Sequence, residues 1–204
     1  MPSSILRPAL VLATAAAVGI LGPLAGALNG PVGQAVGATL SAGWAYAAVS
    51  FFSGMTCGTK KGAAALGIVS LWICVTAYYL TKAAQGDYLR ADLSDTSGKT
   101  EYVAWSELVS MIGLWGVAAC LLGPLCGVAG KLARTGPFRL PAQLLLPLVI
   151  LGETTMRLAY PAPLQDQTVV TAWQFTRMLA TVAISALAVL AAWHTKRRRP
   201  GARA

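Results

Sequence analysis

Apolar residues run along this chain in six long stretches separated by short polar or turn-forming joints. The stretches cover roughly Pro8–Leu28, Ala35–Cys57, Gly62–Lys82, Trp105–Gly130, Pro141–Tyr160 and Val170–Trp193. A helix needs about 20 mostly apolar residues to cross a bilayer, and each stretch reaches that length. The joints carry turn chemistry: Asn29-Gly30-Pro31, Cys57-Gly58-Thr59, Thr135-Gly136-Pro137, and Pro161 with Pro163. The pattern predicts an all-α fold, a polytopic transmembrane helical bundle of six spans. It forms one domain over residues 1–194, and residues 195–204 form a basic tail.

Composition narrows the class further. Of 204 residues, 56% are hydrophobic and 11% charged. A soluble domain carries roughly 25% charged residues, so this chain cannot cover a water-facing surface. An ordinary soluble domain, a disordered chain and a coiled coil are all excluded.

The charges are arranged as a topology signal. Lys60 and Lys61 follow span two, Lys131, Arg134 and Arg139 follow span four, and Lys196 to Arg199 with Arg203 follow span six. The other joints are neutral or acidic on balance, and the Gln85–Ala104 loop holds Asp87, Asp92, Asp95 and Glu101 against Arg90 and Lys99. The positive-inside rule then places both termini in the cytoplasm. The net charge of +9 therefore reads as topogenic charge facing anionic membrane lipid, and no nucleic-acid partner is implied. The expected location is a cell membrane, as a multi-pass protein of a bacterial inner membrane. An alternative for span one is a cleaved leader, with Arg7, an apolar stretch and Ala25-Gly26-Ala27 as the cut.

Small residues recur at helical spacing: Ala9, Ala13 and Ala17, then Gly22 and Gly26, then Gly123, Gly127 and Gly130. Such spacing lets helix backbones approach closely. The reading is contact within the bundle, with a partner membrane protein docking on Ala9, Ala13 and Ala17 as the alternative. Cys57, Cys74, Cys120 and Cys126 lie in apolar surroundings and read as small buried hydrophobes. No metal site is expected, and no cofactor.

The informative residues are polar ones inside the spans. An ionisable group there costs at least ~2.5 kcal/mol, so each is a candidate for function. Glu153 lies ~18 Å from the start of span five, just past the midplane, with Arg157 one turn outward on the same face. Arg177 lies ~10 Å into span six, and Glu107 in the first turn of span four. All four fall in the outer half of the bilayer. Tyr78, Tyr79, Trp44, Tyr46, Trp105, Tyr160, Trp173 and Gln174 share that level. Trp105, Trp173 and Tyr160 read first as an interfacial belt.

Two arrangements of these charges are open. One Arg neutralises Glu153 and the pair holds spans five and six together. Alternatively the residues line a polar pocket with Glu153 at its floor. That pocket is net positive unless Glu107 joins, and suits a carboxylate or phosphate; alternatively one Arg pairs with Glu107, and Glu153 stays unpaired with a raised pKa. The chain has no phosphate-binding glycine loop, no HExxH and no Asp-rich magnesium motif. Its single His194 lies in the basic tail, which excludes a Ser-His-Asp triad within the membrane.

One run of residues carries a resemblance: Gly123-Pro124-Leu125-Cys126-Gly127-Val128-Ala129-Gly130, Arg134-Thr135-Gly136-Pro137 with Arg139, and Gly152-Glu153. With Leu28-Asn29-Gly30 and Tyr78-Tyr79 it resembles a family of small actinobacterial six-span integral membrane proteins of unknown function, over roughly residues 8–193. The resemblance implies the fold, the topology and an acid at Glu153, and supplies no mechanism. The buried acid and aromatic lining also resemble, more weakly, membrane-bound terpene cyclases.

Three functions follow as expectations. In an intramembrane terpene cyclase, Glu153 is the catalytic acid that protonates a lipid-soluble prenylated substrate, and Tyr78, Tyr79, Trp44 and Trp173 stabilise the carbocation. Arg157 opposes this by favouring the ionised carboxylate. In a substrate-capture subunit of a vitamin-type importer, the outer pocket takes a small solute. In an accessory or structural membrane protein, the ion pair is architectural.

Overall fold

The computed structural model describes residues 3–91, 100–159 and 166–197, with side-chain surroundings for 8–91, 100–159 and 166–193. Tyr160, Pro161, Pro163, Asp92, Asp95, Lys99, His194 and the basic tail lie outside the residues so described.

Among them the chain forms α1 (Ser3–Gly26), α2 (Pro31–Leu40), α3 (Gly43–Met55), α4 (Lys60–Ala84), β1 (Leu89–Ala91), β2 (Glu101–Val103), α5 (Trp105–Leu132), α6 (Arg139–Ala159) and α7 (Gln167–Arg197). Five helices, α1, α4, α5, α6 and α7, are each long and apolar enough to cross a membrane. The all-α bundle is as the apolar pattern predicts, with one correction. The expected continuous span Ala35–Cys57 starts earlier, at Pro31, and breaks at Ser41-Ala42, where α2 and α3 meet with a 56° bend. Ser, Ala and Gly follow one another there. Ser and Gly are weak helix formers, and the break is stabilised by a group from another helix.

The ends of the helices follow from local chemistry. Gly30 takes φ +105°, open to glycine and strained for other residues, and Pro31 then starts α2. Thr59 caps α4 by accepting the Gly62 N–H at 3.1 Å. Asp166 caps α7 by accepting the Thr168 N–H at 2.7 Å, and these hydrogen bonds hold its carboxyl below the usual range. β1 and β2 pair antiparallel, Leu89 opposite Val103, in the loop that the apolar pattern left without structure.

The centre of the bundle is built from small residues. Ala15, Ala42, Ala63, Cys74, Ser50 and Ser70 are wholly buried. Gly123 and Gly127 of α5 press on Gly67, Ile68 and Ala63 of α4, and Gly130 presses on Phe51 of α3. A Cβ on Gly123 would lie 2.8 Å from Ile68 Cα, and Ser50 Oγ donates to Gly123 O at 3.0 Å. Lipid tails are as apolar as leucine, so close backbone contact and interhelical hydrogen bonds hold these helices together. α1 joins the same core through Ala15 and Gly19, the latter against Cys74 O. Loss of a leader there would uncover α4. Ala9, Ala13 and Ala17 face outward. Cys74 and Cys126 are buried as expected, whereas Cys57 is half-buried and Cys120 exposed.

The α6–α7 pair sits apart from this core. Only 6% of the most apolar part of α7 is buried within the chain, against 33% for α4. The pair is tied in at few points, so each tie matters. Gln143 Nε2 donates to Ala133 O at 3.0 Å, and Ala142 packs with Phe51 and Ala133.

The glycine core yields a direct test. Gly127→Leu forces a side chain into α4 backbone and should cost about 3 kcal/mol or more, or prevent folding. Gly113 meets nothing within 4 Å, so Gly113→Ala should hold or raise stability by up to about 1 kcal/mol. Thermal unfolding in a single detergent reads both.

Candidate functional site

The site grows out of the break in span two. Ala42 is extended at φ −77°, ψ 147°, and α3 begins after it with no side-chain cap from its own neighbourhood. The first N–H groups of a helix have no partner within it, and in hydrocarbon no water replaces one. Glu153 of α6 fills the gap. Its Oε1 accepts the Gly43 N–H at 2.9 Å and its Oε2 the Trp44 N–H at 2.6 Å. A carboxylate there also meets the positive end of the α3 dipole. Gly43 keeps the approach open, since a Cβ on it would lie 3.1 Å from Oε2.

Arg157, one turn along α6, completes the arrangement. Its Nε donates to Glu153 Oε1 at 2.8 Å and its Nη2 stands 2.8 Å from the same oxygen. The guanidinium lies over the Trp173 ring of α7 at 5.0 Å, and Trp173 is 5% exposed. A continuous path therefore joins α3, α6 and α7 through one carboxylate, one guanidinium and one indole.

The opposite end of α3 is pinned in the same manner. Arg134 Nη1 donates to Met55 O at 2.9 Å, which sets a cation on the negative end of the helix. The helix thus carries an acid from α6 at its start and a base from the end of α5 at its finish.

The other anticipated residues fall in different places. Arg177 lies on the α7 face of Trp173, one turn further along, half-buried. It has no ion pair among the described residues. The expected salt bridge tying spans five and six is thus replaced: Arg157, from the same helix, neutralises Glu153, and the link to α7 is its stacking on Trp173. Glu107 is bound to Arg90 at 2.6 Å and does not join Glu153. It belongs to a cluster with Lys82, Asp87 and Tyr88, where Lys82 pairs with Asp87 at 2.6 Å. Burial raises the Tyr88 phenol above its ordinary value.

Tyr78 and Tyr79 form a T-shaped aromatic group with Tyr46 between α3 and α4, with centroids 6.2 and 5.1 Å apart. The Trp44 side chain lines a groove between α1 and α3, and Gln174 is exposed. Trp173, expected at the interfacial belt, is buried, whereas Trp105 is 63% exposed. Among the described residues, three buried polar side-chain atoms have no hydrogen-bond partner: Trp44 Nε1, Tyr46 OH and Trp173 Nε1. Sequence reasoning missed Gly43 and Arg134. The small-residue run Ser41-Ala42-Gly43 inside an apolar stretch, and the Arg-Thr-Gly-Pro joint, are their signals.

Among the described residues no group of three or more His, Cys, Asp and Glu could hold a metal ion. The fold and this geometry define a polytopic α-helical membrane protein with one broken span capped by a carboxylate from another helix. The chain belongs to DUF6518, a family of unknown function whose profile matches residues 2–204. No curated protein and no solved structure matches it. The family match carries the whole chain and no activity, and it lends nothing to a terpene-cyclase likeness or to an actinobacterial source.

The ion pairs of Glu107 and Glu153 should respond differently to neutralisation. The Arg90–Glu107 pair is about half exposed on both sides, so Glu107→Gln should change stability by less than about 1 kcal/mol. Arg157→Gln removes a charge-assisted contact on the cap and should cost about 2 kcal/mol. Paired thermal or denaturant unfolding curves check the ranking.

Proposed function

We propose that the protein is a non-catalytic membrane protein that binds an amphiphilic anion, with Arg177 as its receptor. The observation that supports this most is the charge balance at membrane depth. Glu153 is matched by Arg157 and Glu107 by Arg90, while Arg177 has no counter-charge among the described residues. It sits ten residues into α7, or ~15 Å from its start. An uncompensated guanidinium there is costly, and such a group is a functional candidate by default. Guanidinium pairs well with carboxylate or phosphate in two-point contact. The neighbouring Trp173 Nε1, buried without a partner, offers a further donor.

Proton-initiated cyclisation with Glu153 as the acid is less favoured. Both carboxylate oxygens accept hydrogen bonds, from two backbone N–H groups and Arg157. Both oxygens are thus engaged by donors of the protein itself, which fits a structural cap and leaves neither directed at a substrate. A vitamin-type capture subunit needs several convergent neutral polar groups, and the deep site supplies few. Docking of a partner on Ala9, Ala13 and Ala17 remains compatible with the anion-binding reading, because that stripe faces outward. The positive-inside rule puts the Lys60, Lys131 and Arg139 end in the cytoplasm, which suits a bacterial inner membrane and places Arg177 in the outer leaflet.

The test compares wild type with Arg177→Gln and Arg177→Lys by mass spectrometry of co-purifying small molecules. Wild type should carry a carboxylate- or phosphate-bearing lipid-soluble species. Arg177→Gln should lose it by about tenfold or more, and Arg177→Lys should retain part of it. An identical inventory in all three proteins contradicts the reading.

A further inference from the structure

Two hollows at the cation-rich end of the bundle meet at one residue. The first is a groove of about 430 Å³ between α1 and α3, walled by Leu10, Val18, Leu40, Trp44, Ala48 and Phe52 and reaching Thr56. Its hydroxyls are spoken for: Thr14 Oγ donates to Leu10 O at 2.9 Å and Ser53 Oγ to Val49 O at 2.6 Å. Its surface is therefore apolar along its length. From Thr56 to Trp44 it follows α3 for twelve residues, or ~18 Å. The second hollow, of about 370 Å³, is lined by Thr56, Cys57, Gly58, Lys131, Arg134 and Thr135.

The second hollow is strongly cationic. It contains two positive side chains and no acid. Lys131 has no ion pair among the described residues, and Arg134 spends one N–H on Met55 O. Thr56 lines both hollows, so the apolar groove and the positive niche adjoin at the end of α3. A ligand that fills both must carry a long apolar chain attached to an anionic head.

We infer that this is a site for one anionic phospholipid of the leaflet at that end. An acyl chain lies in the α1–α3 groove and the phosphate lies against Lys131 and Arg134. The site is separate from Arg177, which lies on α7. The charge complementarity of the niche commits the groove to this occupant. A zwitterionic phospholipid would bring a further cation beside Lys131 and Arg134, and a free phosphate would leave the groove unfilled.

Native mass spectrometry of the full-length protein in detergent tests the assignment, with dioleoyl phosphatidylglycerol and dioleoyl phosphatidylcholine offered in equal amounts. Wild type should take phosphatidylglycerol preferentially. Lys131→Gln should lower that preference by about tenfold, the worth of one charge-assisted contact, and Lys61→Gln, outside the niche, should leave it intact. Ala48→Phe should reduce binding of both lipids by blocking the chain. Val11 of α1 also lines the groove, so Val11→Trp closes it from that wall and serves where Ala48→Phe fails to fold, with the thermal midpoint reporting on folding. Full lipid retention in folded, groove-filled variants overturns the proposal. So does an equal effect of Lys61→Gln and Lys131→Gln, which marks diffuse surface charge. Competition by chain-free glycerol phosphate as strong as that by a lysophospholipid likewise overturns it.

Discussion

A helix that starts inside the bilayer must find partners for its first N–H groups, and here one carboxylate supplies them. In water the break between α2 and α3 would be unremarkable, because solvent would satisfy Gly43 and Trp44. In hydrocarbon each unsatisfied group costs several kcal/mol. Glu153 meets two such groups at once, and its own charge is met by Arg157. The arrangement is costly in isolation and stable as a whole, because donors, acceptor and counter-charge are all engaged. The break and the deep acid therefore explain each other.

The same contact organises the larger architecture. α1, α3, α4 and α5 associate through glycine and alanine, where backbones touch and little else is needed. The α6–α7 pair has no comparable small-residue seam. Its attachment is discrete: Glu153 to the start of α3, Gln143 to Ala133, and Ala142 against Phe51 and Ala133. Arg134 fastens the far end of α3 from the α5 side. The short helix α3 thus becomes the junction between a tightly packed half and a loosely packed one. Arg177 and the indole of Trp173 lie on the loosely packed side.

Much of this was legible from the residues. Runs of about 20 apolar positions place five spans to within a few residues, because the bilayer imposes length on any helix that crosses it. The glycines of α5 announced close packing by their spacing alone. Glu153, Arg157 and Arg177 stood out because charge at membrane depth is expensive. What stayed hidden was pairing. Nothing local to Gly43 says that its cap comes from a residue 110 positions away. Glu107 and Glu153 look alike as acids near the outer face, yet Arg90 of β1 claims one and Arg157 of α6 the other. Trp173 reads as an interfacial anchor from its place in the chain, whereas in the fold it is buried beneath Arg157 of α6. The sequence pattern also ran α2 and α3 together, since a three-residue interruption of Ser, Ala and Gly is barely less apolar than the span around it.

The central claim is that Glu153 caps α3. Amide hydrogen exchange at residues 43 and 44, in wild type and in Glu153→Gln, tests it most directly. The account predicts that both amides are protected in wild type and exchange about a hundredfold faster in the variant, in proportion to a loss near 3 kcal/mol. Amides equally protected in both proteins would contradict it, and would mean that another group holds the broken span together.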